Sequence, residues 1–253
     1  MNAYRGHTAL VGRHLSPRLR AIATALLLLL PIVASPAQAA PAQAAAETAA
    51  ARASTAHVYM LRGVLNIFSL GLDQIAARLQ AQGIQVTVSN YVFWSSLASD
   101  AAAEYRSGKT KTIILVGHSS GATSLPDMVA RLDQLGVPVK LAIGLDSVFH
   151  TSLSGRVGRY VNFYVANGAG TAVERTNGFQ GTLENVNVAS VPGVGHLTIE
   201  KNQIMQQKVI GEIDAVVFGR PASPTKRRQQ PSEASAAVPA VPPRAASAAA
   251  ARN

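Results

Sequence analysis

Thr112 to Val116 is an unbroken run of apolar or β-branched residues that leads straight into Gly117-His118-Ser119-Ser120-Gly121. Such a run suits a strand buried on both faces, as in a parallel sheet. The pentapeptide has G-x-S-x-G spacing, which fits a strand turning sharply into a helix with the serine at the apex of a strained turn. Side chains at the two glycine positions would collide where strand and helix nearly touch. The Ser119 hydroxyl then stands clear of the backbone, and the Ser120 amide is directed to the same place. A nucleophile and half of an oxyanion hole follow from five residues.

The remainder of the chain sets the frame. Residues 1–39 read as a secretory signal. Arg5, Arg13, Arg18 and Arg20 stand without an acid among them, Ala21 to Ala34 is apolar, and Ala37-Gln38-Ala39 is an A-x-A cleavage site. The apolar stretch is short for a membrane span. The expected location of the mature chain is therefore periplasmic or secreted. The sequence holds no cysteine, so neither a disulfide nor a thiolate metal site is available.

The net charge of +10 suggests nucleic acid until it is located. Residues 1–39 carry four Arg and no acid, and residues 220–253 carry six basic side chains against Glu233. Residues 55–219 carry 12 basic and 11 acidic side chains. A nearly neutral domain offers no basic groove, and nucleic-acid binding is set aside.

Residues 40–56 are Ala-rich and read as a flexible lead-in. Residues 57–219 form the expected domain. Strands are expected at His57–Leu61, Ile84–Val88, Lys111–Val116, Val139–Leu145, Tyr160–Val165 and Val186–Val191. Between them lie a helix opened by Asp73 and ending at Gly83, a short helix over Ala98–Arg106, and a helix over Ala122–Leu135. Pro126 should kink that last helix or reset its start. A closing helix is expected over Ile199–Val217. Strands alternating with helices give an α/β fold, a mostly parallel sheet of about six strands with helices on its faces. Residues 220–253, rich in Pro, Ala, Ser and Arg, read as a disordered basic tail. Its cations suit solubility and contact with an anionic cell surface.

In an open parallel sheet, functional groups gather at the carboxyl ends of strands. Three candidates stand there in the order Ser119, Asp146, His196. A serine nucleophile needs an imidazole to take its proton, and the imidazole needs a carboxylate to hold its tautomer. His196 lies in the glycine-flanked loop Pro192-Gly193-Val194-Gly195-His196. His118 adjoins the serine inside the turn and is read as a supporting residue. Glu174 competes with Asp146 for the acid, from a loop that gives it no defined position. Phe93 and Trp94 suit either a pocket wall or the core.

From about His57 to Val217 the chain resembles the α/β-hydrolase superfamily, and is similar to small exported lipase/esterase-like or thioesterase-like serine hydrolases. The residues carrying the resemblance are Leu61-Arg62-Gly63-Val64, Gly117-His118-Ser119-Ser120-Gly121, Leu145-Asp146-Ser147 and Gly195-His196-Leu197. The order Ser, acid, His is that of the superfamily. The resemblance implies Ser119 as nucleophile, His196 as base, and oxyanion amides from Ser120 and from the turn after Gly63, at Val64. Its members most often carry the acid after the strand that here is Tyr160–Val165, where this chain has Asn167. Some carry it one strand earlier, which selects Asp146. The usual His-Gly after the first strand reads Arg62-Gly63. The domain is short, with no room for a large lid.

The expected activity is hydrolysis of carboxylic esters or thioesters on small-molecule or lipid-like substrates, with no metal or organic cofactor. The competing expectation is a catalytically inactive binding or envelope-associated protein on the same fold, favoured by Asn167.

Overall fold

In a computed structural model, the central strand of the sheet sends alternate side chains into two separate cores. The structure describes residues 36–64 and 66–220. The bulk of the expected signal, and the basic tail beyond Arg220, lie outside the described residues. The chain divides into two compact units after Pro41, and the fold described here belongs to the second.

Six parallel strands form the main sheet: β1 (Ala56–Arg62), β2 (Gln85–Asn90), β3 (Thr112–His118), β4 (Val139–Leu145), β6 (Arg156–Tyr164) and β8 (Gln180–Asn187). Their order is β2-β1-β3-β4-β6-β8. Two short strands, β5 (Thr151–Leu153) and β7 (Val173–Arg175), pair in parallel as a separate ribbon. The helices are α1 (Pro36–Ser54), α2 (Gly71–Gln80), α3 (Trp94–Arg106), α4 (Ser120–Gln134) and α5 (Gln203–Phe218).

In β3, Ile114 and Val116 enter one core with Leu72, Ile75 and Leu79 of α2 and Met205, Val209, Ile213 and Val217 of α5. Ile113 and Leu115 enter the other with Ala98, Ala101 and Ala102 of α3 and Leu125, Met128, Val129 and Leu132 of α4. Both faces being covered, the strand has no polar side, which is why its sequence is unbroken. The order also fixes a crevice. The chain leaves β1 toward β2 on one side, then returns past β1 to β3 and continues the other way. Between the carboxyl ends of β1 and β3 the winding reverses, and there a ligand finds room.

Several expected boundaries move. The last strand is Gln180–Asn187 rather than Val186–Val191. It is an edge strand, largely exposed and polar, so no apolar run marks it. The Ala-rich segment expected as a flexible lead-in is helical through Ser54, as alanine's propensity favours. Its end is pinned where Thr55 O accepts the amides of Lys111 and Thr112 at 2.8 and 3.2 Å. Helix α4 starts at Ser120 and runs through Pro126 without a reset. Helix α5 starts at Gln203, not Ile199, because Asn202 caps it by accepting from the amides of Ile204 and Met205. Helix α2 ends at Gln80, and Gly83 serves the following turn at φ 83°.

Leu115 is fully buried in the central strand. Leu115→Ala is expected to destabilise the fold by about 2–5 kcal/mol, read as a lower urea midpoint at unchanged slope.

Candidate active site

The turn after β3 is as tight as its spacing requires. Ser119 sits at φ 57°, ψ −124°, a region that L-residues rarely occupy. A Cβ on Gly117 would lie 2.5 Å from the Gly121 carbonyl, and a Cβ on Gly121 would lie 2.0 Å from Leu61 O. A Cβ on Gly63 would lie 2.9 Å from the Ser119 Cβ. Three glycines therefore let β1, β3 and α4 meet at one point. The apex is held by the Ser119 amide donating to Leu145 O (3.0 Å) and by the Thr123 amide donating to Ser119 O (3.0 Å).

The end of β4 and the loop that follows β8 reach this apex. Ser119 Oγ lies 3.0 Å from His196 Nε2, and His196 Nδ1 lies 2.7 Å from Asp146 Oδ2. A carboxylate only accepts, so Nδ1 carries the proton and Nε2 is the acceptor for the serine hydroxyl. Asp146 follows β4, is 0% exposed, and has φ 54°. Its amide donates to Phe163 O, and its Oδ1 accepts from the Val165 amide, both at 2.7 Å. Gly170 presses on the same carboxylate, since a Cβ there would lie 1.7 Å from Oδ1.

The His196 loop is fixed by one threonine. Thr198 Oγ1 accepts from the Gly195 amide and donates to Gly193 O, both at 2.8 Å. Asn202 Nδ2 donates to Pro192 O at 3.0 Å.

A hollow of about 180 Å³ opens at Ser119, lined by Gly63, Val64, Ser69, His118, His196 and Leu197. Val64 and Leu197 form an exposed apolar rim. Ser120 is the first residue of α4, where an amide has no acceptor within the helix. The Gly63 amide does not face this space, because it donates to Ser69 Oγ at 3.0 Å. A larger hollow of about 290 Å³ lies at the amino ends of β4, β6 and β8, beside Lys140, Arg156 and Gln180, away from the serine.

The structure thus brings Ser119, His196 and Asp146 together, with Val64 and Ser120 bordering them. It does not bring Glu174, which pairs with His150 at 3.1 Å on the exposed β7 side. Asn167 occupies a loop turn at φ 65°. Arg62 is turned to the β1–α2 connection, where it bonds Asp73 and, at 3.2 Å, Asn66 Oδ1. Phe93 is exposed, while Trp94 packs partly against the α3/α4 core. Among the described residues no group of three or more His, Cys, Asp or Glu is arranged to hold a metal ion.

Two residues near the site carry no sequence signal. Ser69 is buried and lies 2.8 Å from His118 Nδ1. Glu200 is 0% exposed, its carboxylate oxygens make no hydrogen bond, and one lies 3.8 Å from His118 Nε2. Burial raises the Glu200 carboxyl above its ordinary 4.5, against the opposing pull of Lys201 Nζ at 3.4 Å. Burial also pushes the His118 imidazole down to about 4.

A six-stranded parallel sheet with helices on both faces, a strained serine after the third strand, and acid and histidine at later strand ends make up the minimal α/β-hydrolase fold. No protein-family model matches the sequence, and no curated protein matches it. Among solved structures, the type II thioesterase BorB from the borrelidin biosynthetic cluster is similar with a TM-score of 0.43 and 13% identity, over 62% of this chain and 91% of that one. An acetylxylan esterase is similar with a TM-score of 0.35 and 16% identity, over 66% and 96%. YbtT, a type II thioesterase from the yersiniabactin pathway, is similar with a TM-score of 0.37 and 11% identity, over 67% and 95%.

Glu200 yields a pH signature. With its folded value raised, the folded state holds a proton that the unfolded state loses, so stability falls as pH rises from the ordinary 4.5 toward the raised value. In Glu200→Gln this loss is absent. The melting temperature of the variant relative to wild type is expected to increase as pH rises above the ordinary carboxyl value of 4.5, as followed by thermal unfolding.

Proposed function

We propose that the protein is an exported serine hydrolase of carboxylic esters or thioesters. The observation that carries the reading is the continuous chain of contacts from Ser119 Oγ to His196 Nε2 (3.0 Å) and from His196 Nδ1 to Asp146 Oδ2 (2.7 Å). In this reading Ser119 Oγ attacks the acyl carbon and its proton passes to His196 Nε2. Asp146 holds the imidazole in the Nδ1–H tautomer and balances its transient charge. The amides of Ser120 and Val64 receive the oxyanion. His196 then gives the proton to the leaving alcohol or thiol, and water, activated by the same imidazole, releases the acid from Ser119.

The hollow at Ser119 suits a compact acyl group, and the apolar rim of Val64 and Leu197 suits small or lipid-like esters. Export rests on residues 1–39, and contact of the basic tail with an anionic surface rests on residues 220–253. The competing reading, a binding protein without turnover, drew on Asn167 in place of an acid. With Asp146 meeting His196, no observation favours it.

The test is labelling by a fluorophosphonate, which reports an activated serine directly. Wild type is expected to label and Ser119→Ala not at all. Asp146→Asn is expected to slow labelling by about 10³- to 10⁴-fold, because the imidazole loses its tautomer. Asn167→Ala is expected to match wild type. A folded wild type that stays unlabelled would overturn the hydrolase reading.

A further inference from the structure

Beside the candidate triad, a second set of buried polar groups is joined end to end. Its ends have fixed direction. The Gly63 amide can only donate, and it lies 3.0 Å from Ser69 Oγ. The His196 carbonyl can only accept, and it lies 2.9 Å from His118 Nε2. His118 Nε2 must therefore carry a proton. Ser69 Oγ and His118 Nδ1, 2.8 Å apart, then share the remaining hydroxyl proton, with the serine as donor and Nδ1 as acceptor. Every bond is satisfied by one arrangement: Gly63 N–H to Ser69 Oγ, Ser69 O–H to His118 Nδ1, His118 Nε2–H to His196 O.

The three segments joined are those that must be in register for acyl transfer. Gly63 precedes Val64, whose amide is assigned to the oxyanion. His118 precedes Ser119. His196 supplies the base, and the bond falls on its own backbone carbonyl. We propose that Ser69 and His118 are positioning residues, a neutral hydrogen-bond relay that locks the oxyanion loop and the His196 loop onto the elbow. The proposal rests on the hydrolase reading for its catalytic consequence, and on geometry alone for the relay itself.

The relay requires an uncharged imidazole. A proton on Nδ1 would leave Ser69 without an acceptor there. The ionisable groups facing the ring are His196, Asp146, Glu200 and Lys201. Both Ser69 and His118 are buried, so water does not replace either partner. Glu200 packs behind the ring, with its backbone against Gly71, where a Cβ would lie 2.2 Å from Glu200 O. That contact ties the segment after His196 to the start of α2, on the far side of the same loop.

The experiment compares wild type and Ser69→Ala on p-nitrophenyl acetate, with the His118 ring nitrogens followed by ¹⁵N NMR. Ser69→Ala removes one oxygen and frees the Gly63 amide. It is expected to lower kcat about 10- to 100-fold with KM within about two-fold of wild type, since displacement of an oxyanion donor acts on the transition state. In wild type His118 is expected as the neutral Nε2–H tautomer at neutral pH. His118→Phe, which keeps the ring volume but removes both the acceptor for Ser69 and the donor for the His196 carbonyl, is expected to reproduce the kcat loss. An unchanged kcat in folded Ser69→Ala, or an Nδ1–H tautomer of His118, overturns the relay. A wild type that neither turns over the ester nor takes a fluorophosphonate, yet shows the Nε2–H tautomer, overturns the hydrolase reading and supports the relay as architecture.

Discussion

The approach of helix α4 to strand β1 governs the rest. At Gly121 the backbone of α4 lies so near Leu61 O that a single methyl would sit 2.0 Å away, and Gly117 meets Gly121 with the same lack of space. No rotamer relieves such a contact, because both partners are backbone. Parallel pairing sets the end of β1 beside the end of β3, Leu61 opposite Gly117, and the close crossing keeps α4 against that edge with Gly63 beside Ser119. It also coincides with the reversal of winding between β1 and β3, the one place where the connections diverge and leave a crevice. The reversal of winding and the strained serine thus meet at one packing contact.

Position of the acid follows from the next strand along. Leu145 pairs with Phe163 across β4 and β6, and the Asp146 amide continues that ladder to Phe163 O. Its positive φ then turns the chain, leaving the carboxylate between the His196 ring and the Val165 amide. The loop after β6, where Asn167 stands, contributes an N–H donor and a glycine rather than an acid. An acid moved back one strand still needs that loop, because the buried Oδ1 would otherwise have no partner.

Legibility tracked burial. Strands β1, β3 and β4 could be read because two covered faces leave mainly apolar positions, Asp146 because it ends such a run, and His196 by its glycine-flanked loop. Strand β8 could not, being an edge whose residues Gln180 to Asn187 are mainly polar and exposed. The three-residue strands β5 and β7 offer too little sequence for any period to show. Helix α1 was masked by a composition shared with unstructured linkers. Ser69 and Glu200 are a different case. Their roles exist only through contacts to His118, from a residue 49 positions away in one case and across a packed loop in the other. No local pattern encodes a partner that distant.

Two imidazoles lie side by side at this site, with ring centroids 5.3 Å apart. The proposed triad chemistry asks His196 to accept a proton, and a charged His118 would oppose it. At an effective dielectric near 20, two unit charges at that spacing repel by about 3 kcal/mol, enough to slow the step by about two orders of magnitude. Burial resolves the conflict by pushing His118 down to about 4, so that this ring stays uncharged at neutral pH. In the proposed reaction, the burial of His118 leaves His196, with Nε2 3.0 Å from Ser119 Oγ, as the ring placed to serve as base.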